Sequence, residues 1–190
     1  MENTFLITGG ARSGKTRFAL DLAGKFPGQK VYLATSPVTD PEMEGRIERH
    51  RMEREGRGWK TVEETISIAS VLGGLAGGDV VVVDCLTLWM NNLILGFRGD
   101  VNETVVEDKC RALLDVCRRR RGKVVFVTNE VGSGIVPENA LARRYRDLMG
   151  RCNQVVAQGV DAVFVVVSGI PFKIKCNRSD GSAPILMPGA

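Results

Sequence analysis

The chain has 190 residues, of which 44% are hydrophobic, enough to bury the core of one domain of ordinary size. Its net charge of +4 comes from 26 basic and 22 acidic residues spread along the sequence, so the charge requires no nucleic-acid partner. No apolar run approaches the roughly 20 residues of a membrane span, and no signal peptide is predicted.

The cysteine and histidine content is consistent with a cytoplasmic protein. Five cysteines never form a Cys-x-x-Cys pair, and His50 is the only histidine. A zinc site is therefore not expected. We expect reduced thiols and a cytoplasmic location.

A complete phosphate-binding loop follows the first apolar run, Phe5-Leu6-Ile7. The glycines of such a loop let backbone N–H groups surround phosphate oxygens, the lysine reaches the β- and γ-phosphates, and the threonine hydroxyl coordinates Mg²⁺. The pattern predicts a nucleoside triphosphate ligand but does not specify the reaction. Its residues are Gly9, Gly10, Ala11, Arg12, Ser13, Gly14, Lys15 and Thr16.

Five apolar, β-rich runs recur along the chain, at residues 4–8, 31–35, 80–84, 124–128 and 162–168. Continuous apolar runs are typical of strands buried on both faces. We therefore predict an α/β fold, a P-loop NTPase-like three-layer sandwich with a mostly parallel central sheet. We expect a single catalytic domain over residues 1–175. Residues 176–190, rich in small and polar residues, Pro and Gly, are predicted to be a peripheral or poorly ordered tail.

The segment after the second run carries the histidine. Residues 40–42 predict a helix start, and Met43, Ile47 and His50 share one face of that helix. Spacing alone favours a partly buried core histidine. Nearby positive charge, however, favours the neutral, nucleophilic imidazole, and arginines are suited to binding phosphate. The residues alone leave both interpretations open; the neighbouring cations are Arg46, Arg49, Arg51 and Arg54.

Two later runs also end in polar residues, and ligands of parallel sheets bind at the carboxyl ends of strands. Asp84 ends the third run and has the form of a carboxylate that holds Mg²⁺ together with Thr16. Residues 129–134 follow the fourth run, and their glycines would let a loop pass close to substrate, although a flexible connection is the alternative. The basic run 118–121 follows a helical stretch at 105–117 and is interpreted as a solvated helix end.

Taken together, these motifs resemble one enzyme family. The chain resembles the bifunctional adenosylcobinamide kinase/adenosylcobinamide-phosphate guanylyltransferase family of cobalamin biosynthesis over residues 4–175. The segment Thr128-Asn129-Glu130-Val131-Gly132 is far more specific than the phosphate loop. The other matching segments are 8–16, 34–36, 42–51, 59–63, 84–93, 134–139, 146–154, 168–170 and Lys175.

The resemblance implies two reactions on one substrate: phosphorylation of adenosylcobinamide with ATP or GTP, then transfer of GMP from GTP onto that phosphate. It implies Mg²⁺ as cofactor, a homotrimer, Lys15 as a catalytic residue and His50 as the residue that carries GMP. The guanine-nucleotide contacts that it implies are residues 9–16, Ala34, Thr35, Ser36, Arg51, Met52, Glu53, Arg54, Glu63 and Asp84.

Other functions remain possible on the residues alone. One is a simple P-loop kinase for another small molecule, in which His50 is structural. Another is a non-enzymatic, nucleotide-dependent switch in which residues 129–134 form a mobile response loop. A third is an enzyme that retains only guanylyltransfer.

Overall fold

A mostly parallel sheet between two helical layers forms the architecture, in a computed structural model that describes residues 2–36, 52, 54, 56–96 and 100–176. The helices are α1 (Lys15–Gly24), α2 (Ile68–Gly74), α3 (Leu86–Gly96), α4 (Glu103–Arg119) and α5 (Ala140–Gly159). The strands are β1 (Thr4–Thr8), β2 (Lys30–Ala34), β3 (Trp59–Glu63), β4 (Val80–Asp84), β5 (Val124–Val127), β6 (Ala162–Val167) and β7 (Ile170–Cys176).

The order of the strands brings the polar strand ends to one edge of the sheet. Within the described ranges, seven strands lie in the order β3-β2-β4-β5-β1-β6-β7, and only β7 runs antiparallel to its neighbour. Asp84 is in register with Ala34 on β2 and with Val127 on β5. The predicted α/β fold with a mostly parallel sheet is confirmed.

The core lies on both faces of the sheet, because successive strand residues point to opposite sides. On one face α1 packs through Ala19, Leu20 and Ala23 onto a cluster that includes Ile7 and Val82. On the other face α2 to α5 cover a cluster that includes Leu6, Leu33, Val83 and Phe126. All four valines of β4 are fully buried. This explains why the central strands read as continuous apolar runs.

The helices of the second layer begin at polar caps. The Asn102 side chain accepts a hydrogen bond from Val105 N at 3.0 Å, and Asn139 accepts one from Ala142 N, also at 3.0 Å. Each cap satisfies one of the N–H groups that a helix start leaves without a partner. The helix predicted over residues 105–117 is confirmed and extends to Glu103–Arg119.

The basic run 118–121 after α4 was interpreted as a solvated helix end, and the structure agrees at three of its four positions. Arg118, Arg119 and Arg121 are exposed, as expected of a solvated helix end. Arg120 is 8% exposed, and its guanidinium donates to the carbonyls of Leu72, Leu75 and Ala76. Arg120 therefore closes the C-terminal end of α2, a role that a run of four arginines does not reveal.

The two outer strands were not predicted. β3 and β7 lie at the edges of the sheet, and exposed or partly exposed polar residues interrupt their apolar patterns. The predicted central strands are correct to within one residue at each end.

Cys176, where the predicted tail begins, is the last residue of β7. The helix start predicted at residues 40–42 and the remaining tail, 177–190, lie outside the described residues. No helix in the described ranges is long and apolar enough to cross a membrane.

Candidate active site

The phosphate-binding loop connects β1 to α1 through a backbone that requires glycine. Gly9 has φ 148° and Gly14 has φ 94°, both in a region that side chains disfavour. Gly14 is the N-cap of α1, so Lys15 and Thr16 occupy its first turn. The N–H groups and the positive end of the helix dipole thus face the loop. The exposed residues of the loop are Gly10, Ala11, Arg12 and Gly14.

The turn between β6 and β7 supports this loop from behind. Gly169 N donates to Ser13 O at 2.9 Å. A Cβ atom on Gly9 would lie 2.3 Å from Val166 O, and one on Gly14 would lie 3.3 Å from Gly169 Cα. Gly9 is therefore required for close packing as well as for its dihedral angle, whereas a side chain at Gly14 would be tight against the turn and strained by its positive φ. Sequence reasoning did not assign this support, although Ser168-Gly169-Ile170 was among the matching segments.

Lys15 is held within the loop. Its side chain is buried, and Nζ donates to Gly10 O and lies 3.4 Å from Ser13 Oγ. Burial lowers the pKa of Lys15, while Cys85 and Asp84 oppose that shift. An anion bound in the loop would replace the carbonyl as partner and favour the charged ammonium.

The carboxylate of Asp84 joins three elements at the end of β4. Its Oδ2 accepts a hydrogen bond from Thr16 Oγ1 at 3.0 Å and another from Tyr32 OH at 2.7 Å. The predicted pair Thr16 and Asp84 is thus brought together. Tyr32 was not singled out from the sequence, because it reads as one more residue of a buried strand.

Arg54 lies against the same tyrosine. Its Cζ is 3.5 Å from the centroid of the Tyr32 ring, and the residue is only 5% exposed. Met52 is exposed. Burial raises the pKa of Tyr32 well above its ordinary value, the charge of Asp84 adds to this, and Arg54 opposes it. The predicted residues His50, Arg51 and Glu53 lie outside the described residues.

The predicted segment Ala34-Thr35-Ser36 passes beside Asp84. Thr35 is fully buried, and its hydroxyl donates to Cys85 O and accepts from Cys85 N, both at 2.8 Å. That hydroxyl therefore holds the backbone after β4 in place. Burial, reinforced by Asp84, raises the pKa of the Cys85 thiol to about 11, so it stays neutral. Glu63 lies on the outer strand β3, in register with Ala34 on β2. Two strand spacings therefore separate the backbone of Glu63 from that of Asp84, a distance of about 10 Å.

The end of β5 is fixed by a network of polar side chains. Asn129 donates to Thr87 Oγ1 from its backbone N at 3.3 Å and from Nδ2 at 3.0 Å. Asn153 Nδ2 donates to Asn129 O at 3.1 Å and its Oδ1 accepts from Thr128 Oγ1 at 2.7 Å. Glu130 N donates to Gly9 O at 3.1 Å. The start of segment 129–134 is therefore anchored to the phosphate loop.

Two solved structures with little sequence identity share the fold. The P4 protein from bacteriophage phi6, in complex with ADP, aligns with a TM-score of 0.50 and 15% identity over 97% of this chain and 59% of its own. An ATPase of the type III secretion system of pathogenic bacteria aligns with a TM-score of 0.52 and 13% identity, covering 86% and 50%. These likenesses show a P-loop NTPase fold.

Sequence comparison is more specific. The model of the family described as cobinamide kinase / cobinamide phosphate guanyltransferase matches residues 5–174. The bifunctional adenosylcobalamin biosynthesis protein CobU of Salmonella typhimurium is 43% identical over 180 residues, covering 90% of this chain and 98% of the relative. The corresponding CobP of Pseudomonas aeruginosa is 39% identical over 171 residues, covering 90% and 96%. The chain therefore belongs to the cobinamide kinase / cobinamide phosphate guanyltransferase family, a family of enzymes with kinase and nucleotidyltransferase activities.

Proposed function

We propose that the enzyme phosphorylates adenosylcobinamide with ATP or GTP and then transfers GMP from GTP onto that phosphate through a guanylylated His50. The product would be adenosylcobinamide-GDP. Family membership over nearly the whole chain supports the two activities. The observation that carries the chemistry is the convergence of Lys15, Thr16 and Asp84 beside a phosphate-binding loop.

In the kinase step the acceptor hydroxyl of cobinamide attacks the γ-phosphorus of the nucleotide. An oxygen–phosphorus bond forms, the bond from that phosphorus to the bridging oxygen breaks, and the nucleoside diphosphate leaves. The hydroxyl proton passes to a base. Lys15 and the N–H groups of the loop stabilise the charge on the phosphate oxygens, which is the main protein contribution to phosphoryl transfer.

The oxygens of Thr16 and Asp84 fit the Mg²⁺ ion that such a reaction uses. Mg²⁺ prefers oxygen ligands and is usually held by one or two protein groups together with substrate phosphates and water. A hydroxyl and a carboxylate 3.0 Å apart provide such a donor set. The described residues contain no group of three or more His, Cys, Asp or Glu side chains suited to an all-protein metal site. When bound, Mg²⁺ would neutralise charge that develops on the phosphates.

In the guanylyl step the neutral imidazole of His50 attacks the α-phosphorus of GTP. A nitrogen–phosphorus bond forms and pyrophosphate leaves. A phosphate oxygen of cobinamide phosphate then attacks the same phosphorus, and the nitrogen–phosphorus bond breaks to release the histidine. What supports this step is that Arg54, four residues after His50 in the sequence, lies against Tyr32, which in turn contacts Asp84.

The test is incubation of the purified protein with Mg²⁺ and GTP labelled on the α-phosphate, next to a His50→Ala variant, followed by denaturing electrophoresis. We expect acid-labile, alkali-stable label on the wild type alone. A parallel incubation with cobinamide and γ-labelled ATP or GTP should give labelled cobinamide phosphate with both proteins. Kinase activity without covalent label on the wild type would favour the simple kinase. Nucleotide binding with neither reaction would favour the switch.

We also propose that the enzyme is a cytoplasmic homotrimer. The exposed apolar side chains of the edge strand β7, Ile170, Phe172 and Ile174, support a contact between subunits. The five cysteines form no disulfide with one another, which is consistent with the cytoplasm. Light scattering after gel filtration should give three times the chain mass, and an Ile174→Lys variant should give smaller species. A wild-type protein of single-chain mass would contradict the trimer.

A further inference from the structure

Tyr32 lies beneath the candidate site, between the carboxylate that ends β4 and the segment that follows His50. It is 5% exposed and belongs to the core cluster on the α1 side of the sheet. Its backbone is in register with Val82, two residues before the end of β4. Only a long side chain with a polar tip can reach from this position to Asp84.

The hydroxyl of Tyr32 fixes one oxygen of that carboxylate. Both Tyr32 OH and Thr16 Oγ1 donate to Oδ2 of Asp84, at 2.7 Å and 3.0 Å. Among the hydrogen bonds between described residues, none reaches Oδ1 of Asp84. If a bound metal drew the Thr16 hydroxyl away from Asp84, the Tyr32 hydroxyl would still hold Oδ2. The carboxylate would then keep its orientation.

The contact between this hydroxyl and Asp84 is short, at 2.7 Å, and joins a phenol to a carboxylate. A protonated phenol in contact with a carboxylate is a charge-assisted hydrogen bond, which is stronger than a neutral one.

The ring of Tyr32 has a separate contact. The guanidinium of Arg54 lies over its face, with Cζ 3.5 Å from the ring centroid. Such stacking orients the planar guanidinium. The Tyr32 side chain thus contacts both Asp84, the carboxylate proposed to hold Mg²⁺, and Arg54, which is predicted to contact the nucleotide.

We propose that Tyr32 is a positioning residue for both reactions, its hydroxyl holding Asp84 for Mg²⁺ and its ring holding Arg54 for the nucleotide. That Tyr32 serves these two reactions rests on the proposed function. That it positions Asp84 and Arg54 is tested directly by the metal and nucleotide affinities. Because the two contacts use different parts of the side chain, two substitutions separate them.

The test compares Tyr32→Phe and Tyr32→Leu with the wild type. Mn²⁺ affinity is measured by electron paramagnetic resonance with a non-hydrolysable GTP analogue present, and affinity for the analogue is measured in EDTA. We expect Tyr32→Phe to weaken Mn²⁺ binding about 10- to 100-fold, the equivalent of one hydrogen bond to a charged group, without changing metal-free nucleotide affinity. Tyr32→Leu should weaken both.

Tyr145→Phe is the matched control. Its hydroxyl donates to Thr87 O at 3.0 Å, and its ring packs in the opposite helical layer. It should lose one tyrosine hydroxyl hydrogen bond, to a neutral carbonyl, without changing either affinity. In steady-state assays, Tyr32→Phe should raise the Mg²⁺ concentration for half-maximal rate while retaining most of kcat at saturating Mg²⁺.

Each outcome bears on the inference. Unchanged Mn²⁺ affinity in folded Tyr32→Phe would overturn the role of the hydroxyl, and equal metal-free nucleotide affinities in the Phe and Leu variants would overturn the role of the ring. Equal losses in Tyr32→Phe and Tyr145→Phe would indicate a general structural effect and overturn both. Failure of the wild type to phosphorylate cobinamide or to accept GMP would refute the proposed function alone, because the affinities do not depend on turnover.

Discussion

Thr16 Oγ1 lies 3.0 Å from Asp84 Oδ2, which ties the first turn of α1 to the end of β4 although β5 separates β1 from β4 in the sheet. The contact shows that Asp84 belongs to the same site as the phosphate loop. It also places two oxygens where a cation could bridge protein and phosphate.

The Thr16 hydroxyl should be essential for both reactions, whereas the Thr16 methyl group should not be needed. Thr16→Ala should lower kcat/KM of both reactions about 100-fold, the order seen when one group that stabilises developing charge is removed. Thr16→Ser keeps the hydroxyl and should remain within about 5-fold of the wild type by the same reasoning. Steady-state assays at saturating Mg²⁺ measure both. Equal rates for the Ala and Ser variants would contradict a role for the oxygen.

Gly9→Ala should destabilise the fold as well as the nucleotide site. The added Cβ would lie 2.3 Å from Val166 O, and φ is 148°. We expect a loss of at least about 1–3 kcal/mol in the free energy of unfolding, typical of backbone strain at a special conformation. Gly10→Ala is the control, because nothing lies within 4 Å of its Cβ position. Urea unfolding of both variants checks this, and similar stabilities would refute the packing argument.

Lys175 should contribute more to stability than Lys173, its neighbour on β7. Lys175 Nζ donates to the carbonyls of Ala157, Gln158 and Val160 at the end of α5, at 2.8, 2.8 and 2.6 Å. Removing it leaves carbonyl groups without a donor, at a cost of about 1–3 kcal/mol.

Lys173 forms an exposed ion pair with Glu2, a type of contact worth about 0–1 kcal/mol. Lys175→Met should therefore lower the unfolding free energy more than Lys173→Met, in urea titrations at one salt concentration. The reverse order would show that the contact at the end of α5 is not stabilising.

Glu64 should make the folded state less stable as the pH is lowered. Its Oε1 accepts from Ile66 N and Ser67 N, both at 2.8 Å, and these bonds hold the pKa of Glu64 below its ordinary value. A lowered pKa in the folded state gives a contribution that is present above the unfolded value of about 4.3 and is lost as the pH falls through the folded value. The stability of Glu64→Gln should thus depend less on pH.

Urea unfolding at neutral pH and at points between about pH 5 and pH 3 spans the ordinary carboxyl pKa and checks this. The difference between wild type and Glu64→Gln should narrow as the pH falls. If the difference in unfolding free energy widened at low pH, the pKa of Glu64 would be raised rather than lowered by folding.

Only one thiol should react quickly in the native protein. Cys176 is partly exposed, whereas Cys85, Cys110, Cys117 and Cys152 are buried. Burial also raises the pKa of the Cys117 thiol to about 12. A colourimetric disulfide reagent should titrate one thiol rapidly and five after denaturation, and Cys176→Ser should remove the rapid phase. Two or more rapid thiols would contradict the burial of the other four cysteines.

The sequence predicts the central fold well because the physics there is local. The valines of β4 are buried on both faces and form an uninterrupted apolar run, so the run by itself predicts a central strand. β3 and β7 are edge strands, where polar residues such as Lys60 and Lys173 are tolerated, and no pattern distinguishes them from loops.

The candidate site divides in the same way. Thr16 and Asp84 belong to motifs whose spacing reflects their chemistry, so their meeting could be predicted. Tyr32 and Gly169 act through contacts between distant segments, which residue type alone does not indicate. Thr35 was predicted as a nucleotide contact through resemblance, and the structure shows its hydroxyl engaged with the backbone of Cys85.

The support of the phosphate loop by the β6–β7 turn has a consequence for synthesis of the protein. The loop is made first, yet Gly169, whose N–H donates to Ser13 O, belongs to the turn between β6 and β7, close to the C-terminal end of the described residues. A nascent chain on the ribosome therefore carries all residues of the loop long before it has the backbone against which the loop packs. Because domains acquire such long-range contacts late, nucleotide can engage a finished loop only after translation has passed β6.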